Sequence, residues 1–226
     1  MDRVSRVTIL HDPESSPSQR SAEAVEDVAG VLVASGLEVA LLAARDDLNA
    51  VVRGIGERSP DLVFNLIETF AGNPRLRPDI AAALDLVGVP YTGAGPSGLH
   101  LASAPDLARR LLVSYGVGAA PASAAELRVA AVGNDRLALF PAGEALATVL
   151  SAAFAALRLR DYALVHLVVQ PEPAIVRAVP NPALGRKGAF ARVAADAGFR
   201  YEDLVLSIVD EAWARHTEVA VSVKTA

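Results

Sequence analysis

Cysteine is missing from all 226 residues, which excludes disulfides, thiolate metal sites and a cysteine nucleophile. Aromatic residues are scarce at 5%, so a core has to be assembled mainly from alanine, valine and leucine. Positive charge is also short. Against 26 acidic residues stand 21 Lys and Arg, a net charge of −5, which leaves no basic excess for a general nucleic-acid binder. No apolar run is long enough to cross a bilayer. The opening Met1-Asp2-Arg3-Val4-Ser5-Arg6 is charged and leads into a strand, unlike a signal peptide, so a soluble cytoplasmic protein is expected. Hydrophobic residues make up 52%, which argues against disorder, and the length suits one or two domains with real cores.

What is present is organised around Asp61–Gly95. Leu62-Val63-Phe64, ending on Asn65, suits a strand buried on both faces. A polar loop, Glu68–Pro74, leads to an amphipathic helix over Arg77–Val87, with Ile80, Ala83, Leu84 and Val87 on one face. Gly88 closes that helix, and Val89–Gly93 runs extended into a second glycine turn. The result is a βαβ unit, whose ligands gather at the carboxyl ends of its strands. That edge carries the candidate ligand-binding residues Asn65, Glu68, Tyr91, Thr92 and Gly93. Asn65 could equally cap the strand, and Glu68 could be a solvated loop charge.

Upstream, a strand over Val4–Leu10, a turn at His11-Asp12-Pro13, a helix from an N-cap at Ser21 to about Ser35, a strand over Glu38–Leu42 and a helix over Leu48–Arg58 give the order β-α-β-α-β. That order predicts a parallel sheet with helices on both faces and right-handed crossovers. The loop after the first strand has no G-x-G-x-x-G or G-K-[ST] and so is not a phosphate loop. Downstream, Ser103–Tyr115 reads as a helix with Pro105 in its first turn and Leu107, Leu111 and Leu112 inward. Gly133-Asn134-Asp135 is a hairpin signal that pairs Glu126–Val132 with Leu137–Phe140. A helix over Glu144–Arg160, strands at Tyr162–Val169 and Ala174–Val179 joined at Pro171-Glu172-Pro173, and helices at Arg192–Ala197 and Tyr201–His216 follow. The tail, Thr217–Ala226, alternates like an edge strand or a frayed end.

Asp61-Leu62-Val63-Phe64-Asn65, Gly72 and Gly88-Val89-Pro90-Tyr91-Thr92-Gly93 together resemble the N-terminal domain of D-alanine–D-alanine ligase-like proteins of the ATP-grasp superfamily. The resemblance continues through Gly116–Pro121, the Glu126–Asn134 strand and Tyr162–Ala212. It implies a pre-ATP-grasp, Rossmann-like parallel-sheet domain over residues 1–120. A reduced α+β ATP-grasp remnant with antiparallel strands then covers residues 121–226. It also implies ligation of a carboxylate to an amine with ATP and Mg²⁺, but the residues for that chemistry differ. The glycine pair opening the family's first loop is absent, with Glu14 and Glu23 nearby and Pro17 where its glutamate belongs. Ala104 and Pro105 replace an Asp-Lys pair whose lysine reaches the phosphates, and Arg109 replaces a later lysine. The long segment forming one wall of the nucleotide cleft shrinks to a few residues between Pro121 and Glu126.

At the catalytic strands the family's Arg-x-Asp becomes Leu164 and His166, and its Glu-x-Asn becomes Arg177 and Val179. The Pro-Gly pair is Pro182-Ala183, and a loop serine becomes Gly188. Magnesium takes hard oxygen ligands, which an imidazole, a guanidinium and a valine do not offer. The expectation is therefore a non-catalytic binding or interaction module with no catalytic residues, no metal site and no cofactor. The alternative is an active ATP-dependent ligase with an altered site, which alone calls for ATP and Mg²⁺. Arg177, Arg186 and Lys187 are candidate anion-binding residues beside the helix start at Ala189, or else a solvated basic loop. His100 is a candidate base, better read as a partly exposed structural histidine. A homodimer joined through the N-terminal domain is expected, with a protein partner or small amino-acid-like ligand, and neither nucleic acid nor membrane.

Overall fold

The structure, a computed structural model, describes residues 4–12, 19–121, 127–133, 138–140, 144–169 and 172–224. Glu14, Pro17, Glu126, the Asn134-Asp135 turn and Pro171 lie outside the described residues.

The first sheet is built from β1 (Arg6–His11), β2 (Glu38–Ala43) and β3 (Leu62–Asn65) in the order β2-β1-β3, all parallel. β3 is buried at all four positions, as its unbroken apolar run predicts. Asp61 ties its start to β1. The Arg6 backbone N–H donates to the Asp61 carboxylate at 2.8 Å and that of Ser5 at 3.0 Å. The Arg6 N–H holds this carboxyl below its ordinary range, against the desolvation that would raise it. Tyr91 adds a parallel bridge to Val63, so Val89–Gly93 lies beside β3 as the βαβ reading requires.

Between these strands run α1 (Gln19–Ala34), α2 (Leu48–Arg58) and α3 (Arg77–Val87). α2 starts at an Asp47 cap that accepts from the Asn49 N–H at 2.9 Å. α3 ends where Gly88 turns left-handed, φ 73°. Ser21 lies inside α1, because the helix opens two residues earlier than its cap signal. α4 (Pro96–Ala102) and α5 (Pro105–Ser114) follow. Leu107 of α5 is 42% exposed rather than inward, and Leu112 is the buried leucine.

The second sheet is mixed. It contains β4 (Gly118–Ala119), β5 (Leu127–Val132), β6 (Ala138–Phe140), β7 (Tyr162–Val168) and β8 (Ala174–Pro180), in the order β4-β8-β7-β5-β6. β5 pairs antiparallel with β6, as the hairpin signal predicts. α6 (Glu144–Leu157) covers one face through Leu150, Ala153 and Phe154. α7 (Ala189–Asp196) and α8 (Tyr201–Lys224) pack on the other. α8 runs on to Lys224, so the expected strand or frayed end over residues 217–226 is corrected to helix as far as the described residues reach. A helix already nucleated upstream extends at little cost through a segment that alternates like a strand.

The core crosses between the two sheets. Ile9, Leu32, Leu62 and Phe64 share one buried cluster with Ala130, Tyr162, Phe190 and Ile208. Among the described residues no helix is long and apolar enough to cross a membrane.

Candidate functional site

The strand-end edge of the parallel sheet is occupied by the protein's own groups. Asn65 is 3% exposed. Its backbone N–H donates to Thr92 Oγ1 at 3.0 Å, and its side-chain oxygen accepts from the Ile67 N–H at 3.2 Å. Asp12, 4% exposed at the end of β1, accepts from the Glu68 and Thr69 N–H groups at 2.7 and 2.8 Å. It thereby folds the Glu68 loop back over the strands. The cavity lined by Asn65 and Glu68 measures ≈ 10 Å³, about the space of one water. Arg77 closes this edge from the far side, donating from Nε to the Ile67 carbonyl at 3.1 Å and from Nη2 to that of Asn181 at 3.3 Å. Burial works against its charge and lowers its pKa.

The Tyr91-Thr92-Gly93 turn forms the joint between the two sheets. Asp161, fully buried where the chain enters β7, accepts from the Gly93 N–H at 2.7 Å and from Arg215 of α8 at 2.9 and 3.0 Å. Arg215 also donates to the Tyr91 carbonyl at 2.7 Å. Burial opposes the Arg215 charge, and Asp161 outweighs it, raising the pKa. The Tyr91 hydroxyl donates to Asp85 at 2.8 Å and accepts from Arg160, whose guanidinium lies over the ring at 4.9 Å. Burial pushes the Tyr91 phenol well above its ordinary pKa, so it stays neutral.

Gly93-Ala94-Gly95-Pro96-Ser97-Gly98 has the G-x-G-x-x-G spacing of a phosphate-binding glycine loop. Its glycines make room for protein rather than phosphate. A Cβ at Gly93 would strike the Asn181 side chain, one at Gly95 would lie 2.9 Å from Arg160, and one at Gly98 2.6 Å from the Arg158 carbonyl. Asp12, Asp161, Asn181 and Arg215 carry no local motif, and only their partners across the chain reveal them.

The four positions to which the resemblance assigns an arginine and the metal ligands fall on two rungs of the mixed sheet. Leu164 is opposite Val179, and His166 is opposite Arg177, with Arg177 Nη2 3.5 Å from His166 Nδ1. β5 extends both rungs, placing Ala130 beside Leu164 and Arg128 beside His166. Among the described residues no group of three His, Cys, Asp or Glu could hold a metal ion. The proposed anion-binding set is divided. Arg186 pairs with Asp27 and Glu202 and lies over the Tyr201 ring at 4.3 Å, while Lys187 is exposed beside it. His100 is exposed on α4. A cavity of ≈ 270 Å³ between α5 and β8 is lined by Pro105, Arg109, Leu112, Leu157 and Ile175, among others.

No family model matches the chain. A D-alanine–D-alanine ligase from Paramagnetospirillum magneticum is 33% identical over 112 residues, covering 50% of this chain and 36% of that protein, so the match spans about a third of its relative's length. The fold is similar to the D-alanine–D-alanine ligase of Bacillus anthracis solved with ATP, at a TM-score of 0.72 and 13% identity over 95% of this chain and 99% of that one. The ligase of Coxiella burnetii superposes at 0.76 with 12% identity, over 98% and 97%. The chain thus has the D-alanine–D-alanine ligase fold, and across about half of its length it is homologous in sequence to such a ligase.

Proposed function

We propose that this chain is a non-catalytic D-alanine–D-alanine ligase-like protein, internally shortened, that acts as a binding or interaction module. The observation that carries this reading is the pair of rungs Leu164–Val179 and His166–Arg177, where the resemblance puts an arginine, two carboxylates and an asparagine. Phosphoryl transfer depends almost wholly on positioning and on neutralising phosphate charge with Mg²⁺. A leucine and a valine supply no metal ligand, and the Arg177 guanidinium repels a cation placed beside it. Pro105 has neither the lysine charge nor a backbone N–H to offer a phosphate. The short connection between Pro121 and β5 supports the shortening.

The test is phosphate release from Mg-ATP in the presence of D- and L-amino acids. No turnover is expected. Magnesium-dependent release that disappears in Arg177→Ala overturns the reading in favour of an active ligase.

The same reading includes a homodimer formed through the parallel-sheet half. Val33 of α1, Leu41 on the edge strand β2 and Leu86 of α3 are 58%, 49% and 90% exposed there, apolar surface that two-fold pairing would cover. Light scattering across a concentration series checks this, and a monomer mass at high concentration rejects it.

A further inference from the structure

Arg128, His166 and Arg177 stand directly opposite one another on three neighbouring strands, β5, β7 and β8. Directly opposed residues of antiparallel strands project from the same face, so these three side chains form one basic rung. It lies immediately outside the rung Ala130–Leu164–Val179, which belongs to the core shared by the two sheets.

A bulge builds this arrangement. Ile175 is opposite Leu167 and Arg177 is opposite His166, so Val176 is an extra residue between them. In a regular register continued from the Leu167–Ile175 pair, Val176 would face His166, and Arg177 would project to the α6 side with Ile175. The bulge aims Arg177 at the imidazole instead.

Like charges placed directly opposite destabilise a sheet, and buried or half-buried cations are normally paired. Arg160, Arg186 and Arg215 follow that rule, each with a carboxylate or phenol partner. Among the described residues neither Arg128 nor Arg177 makes an ion pair, and both are exposed. His166 between them is 5% exposed. The two guanidinium groups flanking the imidazole offer donors and positive charge to a ligand. Guanidinium forks match the oxygens of phosphate in pairs.

We propose that this rung is a metal-independent anion site that takes a phosphate group directly. The site rests on the non-catalytic reading, because a bound Mg²⁺ would have to share the space with Arg177.

Inorganic phosphate titrated into the full chain without Mg²⁺, at constant ionic strength balanced with chloride, tests the site. Melting temperature and histidine ring NMR signals are the readouts. Phosphate is expected to raise the melting temperature and to shift one ring signal, assigned by its disappearance in His166→Gln. Arg128→Ala and Arg177→Ala are each expected to weaken phosphate about tenfold or more, and Arg186→Ala to leave it unchanged. Binding by Arg128→Ala and Arg177→Ala as tight as that of the unaltered chain, or no effect beyond that of chloride, overturns the site. Acetate binding as tightly as phosphate overturns the phosphate assignment in favour of a carboxylate. Magnesium-dependent ATP turnover would overturn the non-catalytic reading whatever phosphate does, whereas a silent phosphate titration would overturn this site alone.

Discussion

Two groups of arginines lie on the same second half of the chain and are treated in opposite ways. Arg160 and Arg215 point into the joint between the sheets, where Asp161, the Tyr91 hydroxyl and the Gly93 carbonyl meet their N–H groups. Arg128 and Arg177 sit on the rim of the mixed sheet with an imidazole between them, and among the described residues neither makes an ion pair. In the first group each charge is desolvated and answered within the fold, so its removal should be felt as lost stability. In the second the charges remain exposed and contribute little to folding, so their removal should be felt as lost binding. Stability and recognition are thereby assigned to different cations.

The largest loss of stability is expected at Asp161. Asp161→Ala leaves Arg215, 21% exposed, without its bidentate partner and the Gly93 N–H without an acceptor. A loss of about 3–5 kcal/mol is expected by urea denaturation, as for other broken buried pairs. A loss below about 1 kcal/mol would mean that the joint is dispensable.

Gly93→Ala attacks the same joint through the backbone. Its φ of +90° is strained for an L-residue, and a Cβ would collide with Asn181. The strain alone costs of order 1–3 kcal/mol, so a clear fall in melting temperature is expected. An unchanged melting temperature would show that Asn181 moves aside freely.

A smaller effect belongs to Asp61, which holds the start of β1 against β3. Its folded pKa is depressed, so its contribution is fully present above the unfolded value of 3.8 and disappears as pH falls through the lower folded value. Asp61→Asn should flatten the acid end of the stability curve, with the loss largest at neutral pH and vanishing as pH falls through the folded value. A parallel curve for the variant would reject this role.

The smallest effect is expected on the rim. Arg128→Ala or Arg177→Ala should leave thermal stability unchanged or slightly higher, since each removes a like charge from the rung. Substantial destabilisation by either would transfer these arginines to the structural group.

Much of the parallel sheet was legible in the chain. Leu62–Asn65 announces a buried strand, Arg77–Val87 has helical spacing, and Gly88 supplies the left-handed cap, all consequences of neighbours within a few residues. α4 was not legible, because seven residues opened by Gly95 without a side-chain cap carry almost no periodic signal. The end of α8 departs from its local pattern for the opposite reason. Its local alternation is real, but cooperativity of the preceding helix overrides it.

The candidate site divides in the same way. The replacements at Leu164, His166, Arg177 and Val179 are visible in order along the chain, and with them the chemical class of every group at those positions. That Asn65, Thr92 and Gly93 face their own protein was decided only when Asp161, Asn181 and Arg215 arrived from distant positions. That Arg128 joins His166 and Arg177 was decided by strand register and by one extra residue in β8. Local sequence sets which backbone conformations are favourable and which charges are available. Which charges are neutralised depends on contacts between residues far apart in the chain, because burial and pairing exist only once the sheets have closed on each other.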